Sequence, residues 1–367
     1  MPFPANPFKP TAGVMPPVLI GRRSVIEDFE EGITDGPGAP DRLTLITGPR
    51  GCGKTVMLTR LGDVARNHGW RVIDETASPD LCERLIARIA PRPGRLSEAT
   101  IDPSVLGVSI GSVRIAPALR PSGLRDAIDA RLKDMKPDQG LLITIDETQD
   151  AALDDITAIA TAIQHAFREN AQVALVFAGL PSLTSDLLNA KVLTFLRRAS
   201  IKTLGDVPLD DVRVSFAGIV REAGLTIGDD ALDAATAATG GYPYMIQLVG
   251  YHMWRHARRR IGDPQRTITT QDVRDGIEQA RARLGEGVCA PIIAGLSERA
   301  VDYLRAMAVD DGPSSTADVA ERMGETIDYA NVYRAKLIDA RIIAAPRRGQ
   351  VDFAVPMLRE YLRVDES

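Results

Sequence analysis

The sequence predicts an α/β fold, a mainly parallel sheet covered on both faces by helices and continued by a helical region and a small C-terminal domain. Three observations lead there. Strand-length apolar runs alternate with helical patterns from Leu43 to Phe177. The run Leu43-Thr44-Leu45-Ile46-Thr47 leads straight into Gly48-Pro49-Arg50-Gly51-Cys52-Gly53-Lys54-Thr55. Strand signals then stop near Leu209, after which helical spacing dominates.

Residues 1–17 carry six prolines and little periodicity, which predicts an extended N-terminal arm on the surface or without fixed structure. Val25, Ile26 and Phe29 mark a short helix, and Gly36 to Pro40 breaks it. Past Lys54, the spacing of Val56, Met57, Leu61, Val64 and Ala65 predicts a helix, so strand, loop and helix follow in order. Trp70 to Asp74 reads as a second strand and Asp80 to Ile89 as a helix. Residues 92–122 interrupt the pattern with an alternating stretch, Val105 to Val113, that resembles an inserted hairpin of no assigned role. A helix near Leu124 to Met135 precedes Leu141-Leu142-Ile143-Thr144-Ile145-Asp146-Glu147, a buried-strand pattern ending in two acids. Helical steps from Leu153 to Phe167 and a strand from Val173 to Phe177 complete the alternation. Three helical patterns between Leu296 and Arg363, with two short β-rich segments around Pro346-Arg347-Arg348-Gly349, suggest a winged helix.

Composition narrows the function classes. With 367 residues, 44% of them hydrophobic and 25% charged, the chain has the make-up of an ordinary soluble protein of two or three domains. No run approaches the roughly 18 apolar residues that cross a bilayer, so no membrane partner and a cytoplasmic location are expected. Cys52, Cys82 and Cys289 are too scattered for a disulfide framework or a zinc site. A net charge of −5 gives no global attraction to nucleic acid, leaving only local patches such as Arg255 to Arg260.

The chemistry lies in two segments. Glycines at 48, 51 and 53 allow successive backbone N–H groups to point inward at phosphates, which side chains there would obstruct. Lys54 would reach the β- and γ-phosphates, and the Thr55 hydroxyl would hold Mg2+. Chance produces this pattern in about one chain in a hundred of this length, before the flanking strand and helix are required. Asp146 would orient Mg2+ or its waters, and Glu147 would polarise the attacking water, at the strand end where such sheets bind ligands. Asp150, Asp154 and Asp155 read as solvated caps of the next helix. Arg197 and Arg198 suit either a helix carboxyl end or an arginine finger acting on a neighbour's nucleotide. Cys52 sits at a helix amino end, a position that can lower a thiol pKa, but this loop position tolerates many residues.

Together these residues resemble the AAA+ superfamily of P-loop ATPases, in the branch that holds STAND-type and origin-initiator-like ATPases, from Gly21 to about Arg363. Gly48 to Thr55 matches Walker A, with Val56 completing the contacting segment, and Leu141 to Glu147 matches Walker B. Ile20-Gly21-Arg22 resembles the entry motif beside the adenine, and Gly240-Gly241-Tyr242-Pro243 resembles the lid motif whose proline packs on that base. The resemblance implies ATP and Mg2+ as cofactors, held between a P-loop core at 18–204 and a helical lid at 205–289, with a winged helix following at 290–367. Two departures stand out. After the fourth strand only Ser182 could serve as the polar sensor, and near Pro243 only Gln247 replaces a sensor arginine.

The expected activity is therefore slow or partner-stimulated hydrolysis of ATP to ADP by a nucleotide-dependent switch or assembly factor, working with a protein partner or further copies of itself. An ATP-dependent DNA-binding initiator or transposition helper is the alternative, and a small-molecule phosphotransferase is a distant third. For the alternative, Tyr329, Asn331, Tyr333, Arg334 and Lys336 between Thr326 and Asp339, with Arg347 and Arg348 on the wing, would meet double-stranded DNA. Against it, Leu296 to Arg363 holds ten basic and eleven acidic residues, so that segment has no net positive field.

Overall fold

Five strands carry the first part of the chain: β1 (Leu43–Thr47), β2 (Arg71–Thr76), β3 (Leu141–Asp146), β4 (Val173–Gly179) and β5 (Ser200–Thr203), in the order β2-β3-β4-β1-β5. The computed structural model describes residues 3–11, 13–90, 122–181, 191–260 and 266–364. It divides into two compact units, one of Ser24–Thr47 and Met57–Lys202, the other of Met1–Arg23, Gly48–Val56 and Thr203–Ser367. The hairpin expected at Val105 to Val113 and the sensor candidate Ser182 lie outside the described residues.

In the sheet unit, β2, β3, β4 and β1 run parallel. Every residue of β1, β3 and β4 is buried. Because alternate side chains face opposite sides, full burial requires cover on both faces, as the apolar runs imply. The register puts Leu43 and Ile143 beside Leu175, and Leu45 and Ile145 beside Phe177, all on one face. That face packs against α3 (Leu81–Ile89), α4 (Leu124–Lys133) and α5 (Leu153–Arg168). Thr144, the polar residue in the β3 run, donates to Asp74 Oδ1 at 2.9 Å, its register partner on β2. Arg42, 1% exposed, donates to the Gly32 and Ile33 carbonyls of α1 (Arg23–Asp35), at 2.9 Å each, and stacks on Trp70. It thereby satisfies helix-end carbonyls that have no intrahelical donor.

Three expectations change here. Strand β5 was not anticipated, because its four residues are only partly covered and carry no apolar run. Arg197 and Arg198 end a 3-10 stretch, Lys191–Arg198, rather than an α-helix, so a full helix dipole does not account for them. Asp154 and Asp155 lie in the first turn of α5, but its N-cap is Ala152, with no side-chain cap.

The helical unit contains α6 (Leu209–Glu222), α7 (Asp229–Ala238), α8 (Pro243–Arg259) and α9 (Thr270–Leu284), preceded by the tail of the arm. Two short parallel strands, β6 (Thr226–Ile227) and β7 (Thr267–Ile268), interrupt what reads as purely helical sequence. The proline-rich arm is anchored: Phe8 is 1% exposed and meets Phe216 and Trp254 edge-on. Gly250 makes room for it, since a β-carbon there would stand 2.3 Å from the Phe8 ring. The arm is further tied by Asn6 to the Tyr251 carbonyl and by the Lys9 N–H to Gln247 Oε1.

Helix α9 runs through a π-helical stretch, Gly285–Cys289, into α10 (Ala290–Ala294). Helices α11 (Glu298–Ala308), α12 (Thr316–Arg322), α13 (Ile327–Asp339) and α14 (Leu358–Val364) follow. With them is a three-stranded antiparallel sheet in the order β8 (Ser314–Ser315), β10 (Gln350–Phe353), β9 (Ile343–Ala344). Tyr303, Met307, Val319, Leu337, Val351 and Leu358 share its core. No described helix is long and apolar enough to cross a membrane.

Candidate functional site

The phosphate loop is shaped by its glycines. Gly51 and Gly53 have φ of +75° and +94°, a left-handed region costly for any residue with a side chain. Gly48 lies so close to the Leu204 carbonyl that a β-carbon would stand 2.3 Å from its oxygen. Lys54 opens α2 (Lys54–Asn67), is 6% exposed, and donates from Nζ to the carbonyls of Gly48 and Pro49 at 2.9 Å each. The ammonium is thus folded over the loop's own backbone. Thr55 and Arg50 are exposed, and Val56 is partly covered.

Cys52 is buried, and burial pushes its thiol up, against the opposing pull of Lys54, Arg22 and nearby backbone N–H groups. It remains a protonated packing residue. Arg22 donates to the Gly205 carbonyl, and Gly21, with φ of +64°, sits against Val207. The Val207 N–H donates to the Gly241 carbonyl at 2.7 Å. Pro243 starts α8 at a position where its missing N–H costs nothing. Between them, Tyr242 is 4% exposed and donates its hydroxyl to the Arg50 carbonyl at 3.1 Å. The glycine loop, the turn at Gly21 and the turn at Gly240 to Tyr242 are therefore knitted together within one unit. Tyr242 had no assigned role in the sequence, although an aromatic residue directly after two glycines is a visible signal.

The acids stand at the end of β3 in the sheet unit. Asp146 is 8% exposed and accepts the Glu147 N–H on Oδ1 at 2.9 Å. Glu147 is partly covered and has φ of 49°, unusual for a residue bearing a long side chain. Its carboxylate accepts a 2.6 Å hydrogen bond from Gln149 Nε2, a partner the sequence did not point to. Arg197 and Arg198 are exposed on their 3-10 stretch. Gln247 is engaged by the arm through Lys9.

The basic run is partly compensated. Arg260 pairs with Asp272 at 2.9 Å and His256 lies 3.8 Å from Asp275, while Arg255, Arg258 and Arg259 remain exposed. On α13, Tyr329 and Tyr333 touch at their hydroxyls, and the Lys336 ammonium lies 5.5 Å above the Tyr333 ring. Arg347 and Arg348 are exposed on the turn between β9 and β10.

The loop geometry accords with comparisons to known proteins. Residues 18–176 match the family model described as an AAA ATPase domain, and residues 286–362 match a domain of unknown function, DUF8462. No curated protein matches the chain. Among solved structures, the Walker-type ATPase of Pyrococcus abyssi aligns at 16% identity and a TM-score of 0.59, over 94% of this chain and 96% of that one. The ORC2 protein of Aeropyrum pernix, solved with ADPNP and ADP, aligns at 14% identity and 0.59, over 97% of this chain and 96% of that one. Cdc6p of Pyrobaculum aerophilum aligns at 15% identity and 0.50, over 97% and 96%. Parallel sheet, glycine loop, AAA ATPase domain match and near full-length likeness agree: the chain carries an AAA ATPase domain at residues 18–176, and its fold is the P-loop ATPase fold shared with the Walker-type ATPase of Pyrococcus abyssi and ORC2 of Aeropyrum pernix.

Proposed function

We propose that the protein is a nucleotide-dependent switch or assembly factor that binds Mg-ATP at Gly48 to Thr55 and hydrolyses it slowly. The observation that carries this reading is the state of the loop. Two of its glycines hold conformations no other residue adopts cheaply, and Lys54 is parked on carbonyls from which it can swing to a phosphate. Nucleotide fits this cradle by the chemistry of its donors: backbone N–H groups, an ammonium and a hydroxyl, all suited to anionic oxygens.

Bound Mg-ATP would supply the phosphoryl group and the cation that balances its charge. Lys54 would hold the β- and γ-phosphates, and Thr55 with Asp146 would hold the ion. Glu147 would take a proton from the attacking water. Gly21, Arg22 and Pro243 would contact the base, and Arg197 or Arg198 would complete the site of a neighbouring copy. Helices α6 to α9 would act as the lid and residues 290–367 as a winged helix whose orientation follows the nucleotide.

The test is light scattering after size exclusion with ATP, with ADP and with neither. A nucleotide-dependent change in mass or hydrodynamic radius supports a switch, and identical profiles in all three conditions remove it. A second reading, ATP-dependent DNA binding, is favoured by the exposed Tyr329 and Lys336 beside the half-buried Tyr333, and by the exposed Arg347 and Arg348. Phosphate contacts release counterions, so duplex binding through these groups would weaken steeply from low to physiological salt. A flat salt response, or no retention on filters with ATP, excludes it.

A further inference from the structure

Glu147 needs more than its own backbone to be a useful base. The main chain around it is locked: Asp146 Oδ1 takes the Glu147 N–H, and the buried Thr148 hydroxyl donates to the Ile145 carbonyl at 3.0 Å. Beyond the α-carbon, however, a glutamate has three rotatable bonds, each with several accessible wells. Something must choose among them if the carboxylate is to meet a water in one geometry.

Gln149 makes that choice. Its Nε2 donates to Glu147 Oε2 at 2.6 Å, and its Oε1 accepts the backbone N–H of Leu180 at 3.1 Å. Leu180, 6% exposed, is the first residue after β4, the strand paired with β3. The two bonds also fix which end of the amide is which. Turned over, the NH2 group would face the Leu180 N–H donor and the oxygen would face a carboxylate, losing both bonds.

Resting on the reading of Glu147 as the base, we propose that Gln149 is the positioning residue of this site. It carries the conformation at the end of β4 to the carboxylate of Glu147. The job expected of a polar side chain after β4 is done by a backbone N–H instead, read by an amide from the strand next door. This placement explains why Phe177-Ala178-Gly179-Leu180 can be wholly apolar. Gln149 occupies Oε2, leaving Oε1 to accept the water proton. A new bond then forms between the hydroxide and the γ-phosphorus while the bond from that phosphorus to the β,γ-bridging oxygen breaks, releasing ADP and inorganic phosphate.

The experiment compares steady-state ATP turnover and equilibrium ATP binding for the wild type, Gln149→Ala, Gln149→Glu and Glu147→Gln. Gln149→Glu keeps the size and the acceptor for Leu180 but cannot donate to Glu147 when ionised, so it guards against a mere packing effect. The expected result is a fall in kcat of about ten- to a hundred-fold in both Gln149 variants, the range for a misplaced catalytic group. ATP affinity should stay near wild type in both Gln149 variants, while the facing carboxylates of Gln149→Glu lower its melting temperature more as pH rises. Adding Gln149→Ala to Glu147→Gln should cause no further loss, because the two act through one carboxylate. Unchanged or raised kcat in both Gln149 variants, or a loss that appears wholly in ATP affinity, overturns the proposal. If Glu147→Gln itself turns ATP over normally, the base assignment falls and this proposal with it. If Glu147→Gln is inactive while the Gln149 variants work normally, only the role of Gln149 falls.

Discussion

The Tyr242 hydroxyl donates to the carbonyl oxygen of Arg50 at 3.1 Å, joining the turn before α8 to the crest of the phosphate loop. The ring also occupies the space that a side chain on Gly51 would need, 2.0 Å from the hydroxyl oxygen. Loop shape and the turn at Gly240 to Tyr242 are therefore one arrangement. If helices α6 to α9 act as the proposed lid, a movement that carries Tyr242 away would release the loop, and a loop held by nucleotide would favour the position that Tyr242 now has.

Replacing Tyr242 by Phe keeps the ring and removes the donor. A neutral hydrogen bond contributes about 1 kcal/mol net, so ATP affinity should fall about five-fold with little change in melting temperature. Burial pushes the phenol well above its ordinary value, so it stays protonated and donating. The ratio of wild-type to Tyr242→Phe affinity should accordingly be constant between about pH 6 and 9, where an ordinary phenol is also protonated. Titration with a fluorescent ATP analogue at several pH values checks both statements.

Phe8 offers a test of the arm. Its ring is buried against Phe216, Trp254 and Gly250, and Phe-to-Ala changes at such sites cost about 3–5 kcal/mol when the surroundings cannot relax. A terminal segment can detach instead, which limits the loss. Phe8→Ala should lower the melting temperature of the helical unit and make the arm an early site of limited proteolysis near Lys9. An unchanged cleavage pattern would show that the arm is held by other contacts.

Much of this could be read before any coordinates, and the reasons are local. The loop from Gly48 to Thr55 is legible because its geometry demands glycine at particular positions. The strands β1, β3 and β4 are legible because burial on both faces leaves unbroken apolar runs. The Tyr242 bond to Arg50 spans 192 residues, and no local pattern records a contact of that range. Gln149 carries no sequence signal because it belongs to a 3-10 turn rather than to the strand motif. The arm's anchoring through Phe8 leaves no sequence signal, because a lone ring among six prolines forms no periodic pattern. Strand β5 has too few buried positions to leave a signal.

Arg197 and Arg198 make a prediction between subunits. If they serve a neighbour's nucleotide, protein carrying Arg197→Ala and Arg198→Ala should regain turnover on mixing with Glu147→Gln protein, since each supplies what the other lacks. Fingers of this kind contribute about three to five decades in rate, so even partial mixing should be visible above either protein alone. Absence of recovery, with both proteins folded and co-assembled, assigns the arginines to the end of their 3-10 stretch and to nothing more.

Nucleotide binding rests on the loop as a phosphate site, and Lys54 tests that most directly. The measurement is equilibrium binding of ATP, with Mg2+, to the wild type and to Lys54→Ala, alongside circular dichroism of both. The wild type should bind saturably and Lys54→Ala at least about a hundred-fold more weakly, in line with removal of a buried charge partner, with the fold unchanged. Equal affinity in the two proteins, or no binding by a folded wild type, would contradict it.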